Sequence, residues 1–127
     1  MSLVLTVDHV NRRATGVGSG TITIADVEDY VAERVRMGAG DYPQLIDVRG
    51  VAVDIPVGES VFGRIMAKRG ELKAGEIPRT AFVASAGTAG FGFARQLAIE
   101  LGFANAAVEV FASRPEAESW LTKRDDD

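Results

Sequence analysis

Hydrophobic and polar positions follow two rhythms along the chain. Leu3 to Asp8 alternates, with Leu3, Leu5 and Val7 on one side, and a turn at Val10 and Asn11 leads into a second strand from about Arg12 to Val17. Gly16, Gly18 and Gly20 then recur at every second position, leaving one side of that strand nearly bare and predicting that another element packs closely there. The rhythm next becomes helical. Ile24, Val27, Val31 and Val35 form one stripe, with Glu28, Asp29, Glu33 and Arg36 opposite, and Thr23 with Asp26 makes a capping box in which Asp replaces Glu. Gly38 to Pro43 is a turn and Gln44 to Val48 a short apolar strand. Arg49 to Glu59 is irregular, and a second helix is expected with Val61, Phe62, Ile65, Met66 and Arg69 inward. Gly63 within it costs about 1 kcal/mol against Ala.

Arg79 to Gly102 reads as strand, glycine-rich turn and helix. The run Ala81, Phe82, Val83, Ala84 suits a strand covered on both faces. After Ser85, Gly87, Gly90 and Gly92 permit a sharp turn and a close backbone approach, and a helix is expected from about Thr88 to Leu101, stopped by Gly102. Ala107 to Phe111 is a last strand. Ser113 and Glu116 form a second capping box, Pro115 sits in the first turn, and Ala117, Trp120 and Leu121 point inward from a final helix. The order β-β-α-β-α-β-α-β-α predicts a single α/β domain over residues 1–122, built on a mixed, mostly parallel five-stranded sheet. Residues 123–127 are expected to be a mobile acidic tail.

Composition narrows the function classes. The 127 residues have room for one domain, and 14 Lys and Arg against 18 Asp and Glu, spread without a long run of one sign, disfavour nucleic acid. With no Cys, disulfides and thiolate chemistry are excluded, and with a single His a zinc site is not expected. No apolar stretch reaches the roughly 20 residues of a membrane span, and the opening residues lack the pattern of a signal peptide. The sequence therefore predicts a soluble, cytoplasmic protein without a cofactor.

Several strings, taken in order, resemble the SpoIIAA-like proteins of the STAS and Sec14 (CRAL-TRIO-like) group. They are Gly20-Thr21-Ile22-Thr23 before an acidic helix, Leu45-Ile46-Asp47-Val48-Arg49, Gly92-Phe93-Ala94-Arg95, and Val110-Phe111 followed by Glu116-Ala117 and Trp120-Leu121. The resemblance implies a STAS-like fold, with either a partner-switching role like that of anti-sigma factor antagonists or a pocket for an apolar ligand like that of Sec14-type carriers. Anti-sigma antagonists carry a phosphorylatable hydroxyl just after an Asp in the turn that follows the third strand. Here Asp54 is followed by Ile55 and Pro56, and the nearest hydroxyl, Ser60, stands beside Glu59, whose charge repels a phosphate. Ser60 reads as a helix N-cap.

The candidate ligand site is the turn with Ser85, Gly87, Thr88 and Gly90, where amides at a helix start carry partial positive charge. Its glycines match neither a dinucleotide fingerprint nor a phosphate-binding P-loop, and close packing of helix on sheet is the favoured explanation for them. The candidate regulatory or partner-binding residues are Asp54, Ser60, Arg95 and Ile99. The last two lie on the polar side of the 88–101 helix, where Ile99, joined by Phe91 or Phe103, would form a partner surface. This predicts an oligomer, in its simplest form a homodimer, with that helix near the interface. Asp47, near the sheet centre, needs hydrogen bonds to be tolerated there, and Asp47 and Arg49 share one side of a strand. A hydrolase would need His9 to reach a Ser across the strand ends. The leading expectation is a non-enzymatic module that binds a protein partner. The alternatives are a carrier or sensor of a small apolar or anionic ligand and, third, a hydrolase.

Overall fold

The computed structural model describes residues 3–56, 78–103 and 107–122, the side chains of 101–103 excepted. The expected second helix, Ser60, the Phe103 side chain and the 123–127 tail lie outside the described residues.

The hairpin pairs β1 (Leu3–Asp8) with β2 (Arg13–Gly18), matching Leu3 to Gly18 and Asp8 to Arg13. Its turn is held by the Asp8 carboxylate, which accepts from Val10 N at 3.0 Å and Asn11 N at 3.1 Å. Arg12 has φ 53°, a left-handed conformation that no strand residue adopts, so β2 starts one residue later than the alternation suggests. Beyond the hairpin come β4 (Gln44–Asp47), β6 (Thr80–Val83) and β7 (Val108–Phe111), all parallel to β2. The sheet order is β1-β2-β4-β6-β7, the mixed, mostly parallel five-stranded sheet expected. A second, two-stranded parallel sheet joins β3 (Thr21–Thr23) to β5 (Ala52–Asp54). Sequence reading missed it because each strand is only three residues long, too short for alternation to register.

Parallel strands are added in one direction, so successive right-handed crossovers leave their helices on one face. Helix α1 (Ile24–Arg36) and helix α2 (Ala89–Phe103) accordingly bury Ile24, Val27, Tyr30, Ala94 and Leu97 with Ile46 and Phe82. Helix α3 (Arg114–Thr122) takes the opposite face, where Ala117 and Leu121 pack on Leu45, Ala81 and Val83.

Helix α1 opens on the expected box, Thr23 Oγ1 accepting from Asp26 N at 3.2 Å while Asp26 accepts from Thr23 N at 2.9 Å. Its inward stripe differs from the expected one. Tyr30 and Arg34 are buried, whereas Val35 is 43% exposed. Gly16 is the reason: a Cβ there would stand 2.8 Å from Tyr30 Cε2, so the bare strand position receives the tyrosine ring. The loop after α1 covers Arg34, whose Nη2 donates to Gly40 O and whose carbonyl accepts from Ala39 N.

Helix α2 is seated on β4 through Gly90, where a Cβ would collide with Val48 O. Gly87, at φ 81°, makes the preceding turn. Gly102 does not stop this helix, which runs on through Phe103; inside a helix a glycine costs about 1 kcal/mol against Ala, a penalty that packing readily outweighs.

Candidate functional site

The Ser85 to Thr88 turn forms a helix cap. Thr88 Oγ1 donates to Ser85 O at 2.6 Å and accepts from Phe91 N at 3.2 Å, and Gly92 N donates to Thr88 O at 3.2 Å. Ser85, Gly87 and Thr88 are exposed, while Gly90 is buried under Val48 O. Two of the first amides of α2 thus already have local acceptors. Ligand crevices in open parallel sheets form where strand order reverses, and β2, β4, β6 and β7 follow one another without reversal. The turn brings the four predicted residues together, three of them exposed and Gly90 packed under Val48 O.

Asp47 and Arg49, at the carboxyl end of β4, pair with each other. Arg49 Nε and Nη2 donate to the two carboxylate oxygens at 3.0 and 2.7 Å, and Arg49 N adds a bond of 3.1 Å. Desolvation alone would raise the Asp47 pKa, but the hydrogen bonds and charge of Arg49, with Arg114 nearby, hold it below the usual carboxylate value. The fork geometry satisfies the carboxylate that the sequence marks as costly.

Asp54 ends β5 and is exposed, on a strand separate from Arg95 and Ile99. Arg95 and Ile99 share the outer face of α2. Ile99 is 55% exposed, and the Arg95 guanidinium stands 6.0 Å from the Phe91 ring centroid. A groove of about 370 Å³ runs between α2 and β7, lined by Phe91, Arg95, Ala98, Ile99, Val108 and Val110, with Glu109 at its margin. Among the described residues, strand β7 is an edge of the sheet. Ala107 O accepts from Thr80 N and Phe111 O from Ala84 N, just past β6, so the odd-numbered residues turn their backbone inward and Val108 and Val110 turn theirs away.

Sequence reasoning missed a buried polar chain. Thr80 Oγ1 donates to Pro78 O at 2.9 Å and accepts from Gln44 Nε2 at 3.0 Å, leaving Gln44 Oε1 to accept from Tyr30 Oη at 3.1 Å. Burial pushes the Tyr30 pKa up to about 12, against the opposing charge of Arg34. The three side chains line an apolar cavity of about 70 Å³ between α1, α2 and the sheet, with Val27, Ile46, Phe82 and Leu97 among its walls. The available signal was Gly16 beside a helix carrying a tyrosine, together with polar residues opening two adjacent central strands.

His9 is exposed at the hairpin, its Nδ1 2.8 Å from Tyr42 Oη, at the end of the sheet where the parallel strands begin. Ser85 and Ser113 follow the carboxyl ends of β6 and β7, so histidine and serines are at opposite ends. Among the described residues no group of three His, Asp or Glu is placed to hold a metal ion, and no helix is long and apolar enough to cross a membrane.

No family model matches the sequence, and no curated protein matches it. Among solved structures, the chain is similar to an uncharacterized protein of the DUF3478 family with a SpoIIAA-like fold from Shewanella loihica PV-4. The TM-score is 0.60 at 18% identity, covering 94% of this chain and 91% of that one. The likeness supports the SpoIIAA-like fold and does not extend to the Sec14 grouping: the chain is an α/β protein with the SpoIIAA-like architecture.

Proposed function

We propose that the protein is a non-enzymatic, STAS-like module that holds a protein partner in the groove between α2 and β7. The observation that carries this reading is Ile99, standing 55% exposed beside β7, the sheet's edge among the described residues, with Arg95 as a cation on the groove rim. The chemistry fits an extended protein segment. Such a segment hydrogen-bonds to the outward backbone of Val108 and Val110, places an apolar side chain among Phe91, Ala98 and Ile99, and presents a carboxylate to Arg95. The separation of His9 from Ser85 and Ser113 favours binding over hydrolysis.

The test uses the full chain as bait beside Ile99→Asp and Arg95→Glu. The expected result is a protein captured by the parent chain and lost from both variants. A catch that both variants retain contradicts the reading. If the partner is a second copy, light scattering shows a dimer that Ile99→Asp dissociates.

A further inference from the structure

The cavity beneath α1 and α2 combines a small volume, uncharged walls among the described residues and an unspent hydrogen-bond donor. Its volume of about 70 Å³ is about half that of the roughly 150 Å³ apolar cavity that takes up benzene or xenon. An acyl chain or a flat ring system is too large, and a molecule of three or four heavy atoms fits. None of the described lining residues is charged, which favours a neutral guest over an ionic one. The polar end sits where β4 and β6 begin, at Gln44 and Thr80, both buried. Gln44 spends one Nε2 hydrogen on Thr80, and the other has no acceptor among the described residues.

We propose that this cavity binds a small neutral molecule of the short-chain alcohol, ketone or amide class. Its oxygen accepts from Gln44 Nε2 and its alkyl part lies against Val27, Ile46, Phe82 and Leu97. This site is distinct from the Ser85 to Thr88 turn and does not depend on the groove beside Ile99.

The test is an NMR titration of the full chain with 2-propanol, run beside xenon as a purely apolar probe. Saturable shifts are expected at the Gln44 side-chain amide and the Val27 and Leu97 methyls, while the Ile99 methyls drift linearly. Gln44→Leu removes the donor and keeps the apolar walls, so xenon shifts persist and 2-propanol affinity falls at least fivefold. Val31→Leu, which narrows the cavity from its lining, weakens both probes. The proposal is overturned if 2-propanol shifts do not saturate in the parent chain, or if Gln44→Leu binds the alcohol as well as the parent does. A crystal soaked in 2-propanol that shows water alone on Gln44 overturns it too.

Discussion

The two faces of the sheet are packed differently. Under α3, small residues meet: Ala81 and Ala117 are fully buried, and Leu45, Val83 and Leu121 close the gap. Under α1 and α2 the side chains are larger, a cavity remains, and three polar side chains are buried in a hydrogen-bonded line. Helix α2 is brought close at one end, where Gly90 meets the carbonyl of Val48 just after β4, while its outer side carries the groove with Arg95 and Ile99. The α3 face is thus shaped for stability, whereas the opposite layer retains internal space and an unfilled outer surface. A glycine that enables contact and a glycine that faces solvent can stand two residues apart in one helix.

The largest expected effect breaks the seating of α2. Gly90→Ala places a Cβ against Val48 O and is expected to cost about 3 kcal/mol, whereas Gly92→Ala, with nothing nearby, is expected to gain about 0.5–1 kcal/mol. Urea unfolding of the two variants reads the contrast directly.

Next in size is a test of the two faces by overpacking. Ala117→Leu should cost about 2 kcal/mol, because Ala117 is fully buried against Leu45, Ala81 and Val83. Val31→Leu, at the cavity, should stay within about 0.5 kcal/mol of the parent chain. Equal losses would mean that the faces do not differ as described.

Tyr30→Phe leaves Gln44 Oε1 without its donor and should cost about 1–2 kcal/mol near neutral pH. Tyr30 also gives the cavity face an alkaline signature. The folded phenol titrates at about 12 against 10.0 for the ordinary group, so its contribution is complete below pH 10 and lost as pH rises through 12. The gap between parent and variant should therefore shrink across that window in unfolding experiments.

The smallest effect belongs to Asp47, on the α3 side. Its folded pKa lies below the usual 3.8, so the stabilisation is present above that value and lost as pH falls through the folded one. Asp47→Asn should remove this acid-dependent component, seen as a shallower loss of melting temperature on acidification. Arg49 is partly exposed, which keeps the effect modest.

Much of this architecture was legible in the chain, and the illegible parts share a cause. Alternation located the hairpin, the run Ala81 to Ala84 located the central strand, and Thr23, Asp26, Ser113 and Glu116 marked two helix starts, because each signal is local. The inward turn of Tyr30 and Arg34 was not visible, since it depends on Gly16 from another strand and on the loop through Gly40. Gln44 and Thr80 form a pair because parallel strands bring residues 36 apart into register. At the candidate sites, the sequence placed Arg95 and Ile99 correctly on an outer helix face, but nothing in it identified β7 as the adjoining edge.

The central claim, that a partner occupies the groove beside β7, is tested most directly by amide hydrogen exchange at Val108 and Val110. Bound to the captured partner, or at high concentration if the partner is a second copy, these outward amides should exchange markedly more slowly than in the isolated chain. Unchanged exchange at both, with protection appearing at another surface, would contradict the claim.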